Sequence, residues 1–255
     1  MILPGHRPTR LYLLDLGDFN VGPGKRLIGI PGFVIQTETS NGTPGANILV
    51  DTGFDAGYAS DYAALDARDG LSGFGRLENY TARQTLTGQL ALLGLKPAEI
   101  THLILTHGHI DHVGGLPLFT HCPIILTQIE RAEPRPVYWS NARPLAWPET
   151  EYIQITGETV LCPGLILIPT PGHTPGHLSL LLTLPTGTVI LAADAINRAS
   201  EPAENYADAM DPATAATSAK RLFDLQHLHN ATLIYGHDPA QWRDMPKAPA
   251  PYGFD

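Results

Sequence analysis

The chain predicts a mixed α/β domain in which two sheets are covered by helices. Three observations carry this. Apolar runs of strand length come in series rather than in strict alternation with helices. Only two stretches carry full helix signals. Side chains with nitrogen or oxygen donors recur just after apolar runs, which suits strand ends on a rigid scaffold. With 255 residues, 43% of them hydrophobic, one core-bearing domain over 1–255 is expected.

The elements follow in order. Residues 10–16 form a short apolar strand. Residues 27–37 and 46–50 read as further strands, joined by a Ser-Asn-Gly-Thr-Pro-Gly turn at 40–45. The pattern predicts a helix over 81–93: Thr81 and Gln84 suit a capping box, Leu86, Leu90 and Leu93 share a face, and Gly94 suits the end. Residues 100–105 form a buried strand, and a short helix is expected to begin near His112. Ile124–Thr127, Leu165–Pro169, Leu178–Leu184 and residues 188–192 read as strands, with a Pro-Thr-Gly turn at 185–187. Asp211-Pro212 opens a second helix, Asp as N-cap and Pro in the first turn, that runs to about Leu228. Thr232–Tyr235 is the last strand. The irregular stretch 133–151, which holds Tyr138, Trp139 and Trp147 among its prolines, suits a pocket wall.

Composition narrows the function. The net charge of −9 and the scattered Lys and Arg argue against a nucleic-acid surface or an anionic membrane as partner. Cys122 and Cys162 alone make no disulfide framework and read as small buried apolar side chains. No apolar stretch approaches the ~20 residues of a membrane span, and the N-terminus lacks a signal-peptide pattern, so a cytoplasmic protein is expected.

Chemistry concentrates in five segments: Leu49-Val-Asp-Thr-Gly, Thr106-His-Gly-His-Ile-Asp-His, Thr170-Pro-Gly-His, Ala193-Asp-Ala and Gly236-His-Asp. Imidazole nitrogen and carboxylate oxygen suit zinc and similar divalent ions. His107, His109, Asp111 and His112 are more donors than one tetrahedral ion takes from so short a stretch, and two ions explain the surplus. His107 and His109, two apart in an extended loop, can share one ion. Asp111 and His112, beyond a local turn, can face a second. His173 and His177 lie four apart in Pro-Gly-His-Thr-Pro-Gly-His, one suited to be a ligand and the other to support it. Asp194 ends an apolar strand, either capping the next turn or aimed at the site. His237 ends another.

Together these segments resemble the metallo-β-lactamase superfamily, whose fold is a four-layer αβ/βα sandwich with the metals at one edge of the two sheets. The resemblance implies His107, His109 and His173 on the first ion, Asp111, His112 and His237 on the second, and Asp194 as the bridge. Asp51 matches the buried carboxylate behind the site, and His177 supports it. Within the superfamily the chain is similar to the N-acyl-homoserine lactone lactonases, the quorum-quenching enzymes. Spacings of 61 residues from His112 to His173, 21 to Asp194 and 43 to His237 fit that group. The resemblance implies two divalent ions, zinc first with iron, cobalt or manganese as alternatives. It also implies opening of a small-molecule lactone ring by a hydroxide that the ions activate.

Asp111 would carry the proton to the leaving oxygen. Those lactonases often place a Tyr three residues after the bridging Asp; Asn197 stands there here, with Tyr206 or Tyr235 as other donors. Phe19, Ile30, Phe33, Tyr138 and Trp139 are candidates for an acyl groove, although core packing explains them equally well. A pyridoxolactone-like hydrolase, a glyoxalase-II-like thioesterase and a non-catalytic metal-binding sensor or scaffold remain as rivals. The thioesterases append a helical domain, whereas only 18 residues follow His237 here. A monomer or homodimer is expected.

Overall fold

The structure is a computed structural model that describes residues 1–22, 26–138 and 142–253. Twelve strands form two sheets among the described residues. The first contains β1 (His6–Val21), β2 (Arg26–Thr39), β3 (Pro44–Val50), β4 (Gly75–Glu78), β5 (His102–Ile104), β6 (Ile124–Thr127) and β7 (Tyr152–Ile155), in the order β4-β1-β2-β3-β5-β6-β7. The second contains β8 (Thr159–Cys162), β9 (Leu165–Pro169), β10 (Leu178–Leu184), β11 (Gly187–Ala193) and β12 (Thr232–Tyr235), in the order β12-β11-β10-β9-β8. Pairing is antiparallel except along β3-β5-β6-β7 and between β11 and β12.

Period-two alternation sorts the strand residues into layers. Ile48, Val50, Ile104, Ile125, Leu180, Leu182 and Leu191 meet in the core between the sheets. Their neighbours Leu49, Leu103 and Ile124 turn outward to pack with Leu86 and Leu90 of α2 (Leu86–Leu92), beyond α1 (Tyr62–Asp69) in the chain. Leu181 and Ile190 turn to the opposite outer face. This gives helix, sheet, sheet and helix, the four-layer arrangement expected.

Three further helices accompany the parallel strands: α3 (Ile110–Val113), α4 (Gln128–Ala132) and α5 (Glu201–Glu204). The outer face of the second sheet is covered by α6 (Pro212–His229), whose Ala215, Ala219 and Leu222 are buried there; α7 (Pro239–Asp244) follows the last strand. The Asp211 carboxylate accepts from Ala213 N and Thr214 N to cap α6, and Asn230 ends it in the left-handed conformation.

Several sequence expectations are corrected. The helix foreseen over 81–93 begins at Leu86, because Thr85 competes with Thr81 as cap: its side chain accepts from Gly88 N. Thr81 and Gln84 close a separate turn, with Thr81 Oγ1 donating to Gln84 Oε1 at 2.7 Å. The short helix expected near His112 is present over Ile110–Val113, with His109 at its cap position. Strands β4, β7 and β8 lay outside the expected set. All three are four-residue edge strands, where the alternation that marks a strand has little length to show itself. Cys122 and Cys162 are free and buried. No helix among the described residues is long and apolar enough to cross a membrane.

Candidate metal centre

The carboxyl ends of β3, β5, β9, β11 and β12 deliver the site. Just past them lie Asp51, Thr106-His107, Thr170, Asp194 and His237. Ala193, which leads into Asp194, has φ +47°, and Asp51 has φ +59°. Non-glycine residues rarely take this conformation, and the strain is held by surrounding bonds at a functional edge.

Two ligand groups converge here. One comprises His107, His109, His173 and Asp194; the other comprises Asp111, His112 and His237; within each, the donor atoms all lie within 4.8 Å of one another. The Asp194 carboxylate is divided between them. Its Oδ2 lies 3.2 Å from His173 Nε2 and 3.9 Å from His107 Nε2. Its Oδ1 lies 3.3 Å from His237 Nε2 and 3.4 Å from His112 Nε2. Asp111 Oδ2 approaches the same two imidazoles at 3.5 and 3.4 Å. Donors on a tetrahedral ion with bonds of about 2.0–2.1 Å stand roughly 3.3 Å apart, so these separations match ligands around an ion. The buried His107 Nε2, His112 Nε2 and Asp194 Oδ1 have no hydrogen-bond partner among the described residues. A cation satisfies all three, so the donor set fits two divalent ions.

The opposite edge of each imidazole fixes its orientation. His112 Nδ1 meets Asp51 Oδ2 at 2.8 Å, and His237 Nδ1 donates to Gly29 O at 2.9 Å. Asp51 also accepts from Thr106 N and Thr106 Oγ1, at 2.8 and 2.7 Å. His177 stays outside both groups: its Nδ1 bonds Thr170 Oγ1 at 2.8 Å and its Nε2 accepts from Asp194 N at 3.1 Å. It therefore seats the bridging residue through its backbone. Asp194 caps no helix, since its oxygens face imidazoles.

The two groups differ electrostatically. Burial, with neighbouring histidines, pulls His107 and His173 well below the ordinary imidazole value, and His109 also lies below it, so these rings are neutral and ready for an ion. Burial pulls on His112 and His237 too, but the carboxylates outweigh it. Asp111, Asp51 and Asp194 push His112 well above its ordinary value, and Asp194 and Asp111 bring His237 to about 9. In the ion-free protein these two rings favour their protonated forms, and the second ion must displace those protons. Uptake by the second group should therefore release more protons than uptake by the first, and should tighten as pH rises toward the His237 value of about 9. Calorimetric titration in buffers of different ionisation heat measures this, and equal proton release in both steps would contradict it.

A cavity of about 370 Å³ opens over the centre, lined by His109, Asp111, His173, Asp194 and His237 at its base. Phe19, Val21, Ile28, Phe54, Phe74, Ile110, Tyr138 and Met210 form apolar walls, while Arg26, Arg198, Asn197 and Asp208 add polar ones. Phe19 stacks on Phe54 and Phe74 at centroid distances of 5.5 and 5.9 Å.

Of the foreseen groove residues, Phe19 and Tyr138 line this cavity. Ile30 packs on the outer face of the first sheet and Phe33 between the sheets, so neither lines it, and the alternative substrate donor Tyr206 packs beneath α6 away from the cavity. Trp139 lies outside the described residues. Asn197 is buried at the wall, its Nδ2 already donating to Glu201 Oε1 at 3.1 Å. Arg198 and Glu130 were not foreseen. Arg198 lines the cavity and pairs with Glu204 and Asp208. The only signal for Glu130 was its place in a Thr-x-x-Glu helix start.

Residues 33–237 match the model of the metallo-beta-lactamase superfamily. The chain belongs to that superfamily. An N-acyl homoserine lactonase of Bacillus thuringiensis is 32% identical over 92% of each sequence. A solved N-acyl homoserine lactone hydrolase with the product N-hexanoyl-L-homoserine at its catalytic metal center superposes with a TM-score of 0.81 at 25% identity, covering 96% of this chain and 99% of that one. A dizinc quorum-quenching lactonase, also solved with a product bound, shares the fold at a TM-score of 0.59 and 18% identity, over 90% of this chain and 80% of its own. In this superfamily member the two ligand groups sit at one edge of the paired sheets, beyond the strand ends.

Proposed function

We propose that the chain is a metal-dependent hydrolase that opens the lactone ring of N-acyl homoserine lactones, with zinc as the native metal. The single observation that carries this reading is the Asp194 carboxylate shared between two ligand groups at the base of an apolar-walled cavity. The lactonase relatives at 32% identity over 92% of the chain support the choice of substrate. Two bound ions would supply Lewis acidity toward an ester carbonyl and a water nucleophile that is acidic near neutral pH.

The chain's own residues do the rest. The walls formed by Phe19, Phe54 and Ile110 suit an acyl chain and exclude water around the ring. Asp111 turns Oδ2 toward His112 and His237, which leaves Oδ1 to take the proton lost by the attacking water and pass it to the departing ring oxygen. Asn197, at the cavity wall, orients the carbonyl with the amide hydrogen that Glu201 does not take. We further assign the chain as one domain over 1–255, acting in the cytoplasm as a monomer or homodimer.

Proton release tests the substrate class directly. Zinc-loaded protein should acidify weakly buffered solutions of homoserine lactones with short and long acyl chains. No acid from any lactone, alongside turnover of thioesters or phosphodiesters, would overturn the reading.

A further inference from the structure

The start of α4 departs from the usual reciprocal cap. Thr127 Oγ1 accepts from Glu130 N at 3.1 Å, as a capping box requires. The Glu130 side chain does not return to the Thr127 backbone. It is 4% exposed and reaches into the loops that carry the first group's histidines. Its Oε1 accepts from Gly108 N at 2.8 Å, between His107 and His109. Its Oε2 accepts from Thr174 Oγ1 at 3.0 Å, next to His173. Thr127 Oγ1 completes the junction by donating to Gly176 O at 2.7 Å.

The glycines record how tightly α4 is seated. A Cβ on Gly108 would stand 3.0 Å from Glu130 Oε1, and one on Gly176 would stand 2.4 Å from Glu130 N. Two loops separated by more than 60 residues thus meet on one carboxylate. The second group is held elsewhere, through Asp51 on His112 and Gly29 on His237.

We propose that Glu130 is the positioning residue of the first ion's ligands, its two oxygens fixing the His107–His109 loop against His173. The inference rests on the two-ion reading of the site. Supporting residues of this kind typically change metal affinity by about 10–100-fold when removed.

Cobalt-substituted protein tests it, with affinities and visible spectra followed for each ion. Glu130→Ala should weaken one ion by about tenfold or more and leave the other unchanged. Glu130→Gln keeps an oxygen for Gly108 N and offers an amide to the Thr174 hydroxyl, so it should restore most of the loss. A purely structural role would lower the melting temperature without separating the two ions. If Glu130→Ala binds both cobalt ions with wild-type affinities and spectra, the proposal is overturned. Should that variant fail to fold, Thr174→Val removes one of the two contacts; it should selectively weaken the same ion, and unchanged affinities overturn the proposal equally. These readouts need no substrate, so a wild-type protein inactive on lactones would defeat the lactonase reading and leave this one standing.

Discussion

Asp194→Ala is expected to empty the centre of most of its metal and to abolish turnover while the fold persists. Both carboxylate oxygens are used, Oδ2 toward His107 and His173, Oδ1 toward His112 and His237. Alanine therefore removes a ligand from each group at once and leaves five imidazoles with Asp111 as the sole carboxylate among them. Removing a single preorganised donor from an active site costs on the order of 10²–10³-fold in rate, and losing the bridge should exceed that. The fold should survive because the bond that seats this residue runs from Asp194 N to His177 Nε2 and is independent of the side chain. Elemental analysis, circular dichroism and lactone turnover on the same preparation read all three quantities. Two ions per chain and near-normal turnover in the variant would show that Asp194 does not bridge.

Much of this architecture was legible in the sequence because central strands are long enough to alternate. Leu49 between Ile48 and Val50, and Leu181 between Leu180 and Leu182, announce which residues face which layer. The edge strands β4, β7 and β8 lack that length, and Thr85 overrode the Thr81 signal with a cap of its own. Ligand residues stood out because donors directly after apolar runs are chemically conspicuous. Their supports did not. Glu130 is 22 residues from Gly108 and 44 from Thr174, and nothing local marks those partners. Apolar wall and apolar core are the same letters in sequence, which is why Ile30 and Phe33 were grouped with Phe19. The register shift in β1 between Asp15 and Asp18 further breaks simple alternation just before Phe19.

The least intrusive change with a large expected effect is Asp51→Asn, which alters no volume and touches no ion. Asp51 Oδ2 lies 2.8 Å from His112 Nδ1, and Oδ1 accepts from Thr106 N at 2.8 Å. A carboxylate is acceptor-only, so His112 keeps one proton on Nδ1, and the proton the second ion displaces is the one on Nε2. Asparagine cannot serve both neighbours. With its nitrogen toward His112, Nδ1 must accept and the proton moves to Nε2, the atom aimed at Asp194 and Asp111. With its nitrogen toward Thr106, two N–H donors oppose each other. Either orientation penalises the second ion, and the expected loss is about 10–100-fold in its affinity, with turnover falling in parallel. The first group meets Asp51 only through Thr106, whose Oγ1 lies 2.7 Å from Asp51 Oδ2 and 3.1 Å from His107 Nδ1, and should lose less affinity than the second. Asp51→Ala, by contrast, breaks a buried pair outright and should cost about 3–5 kcal/mol of stability as well. Metal titration of the Asn variant decides the matter: wild-type affinity for both ions would mean that Asp51 supports the fold and leaves the His112 proton where it was.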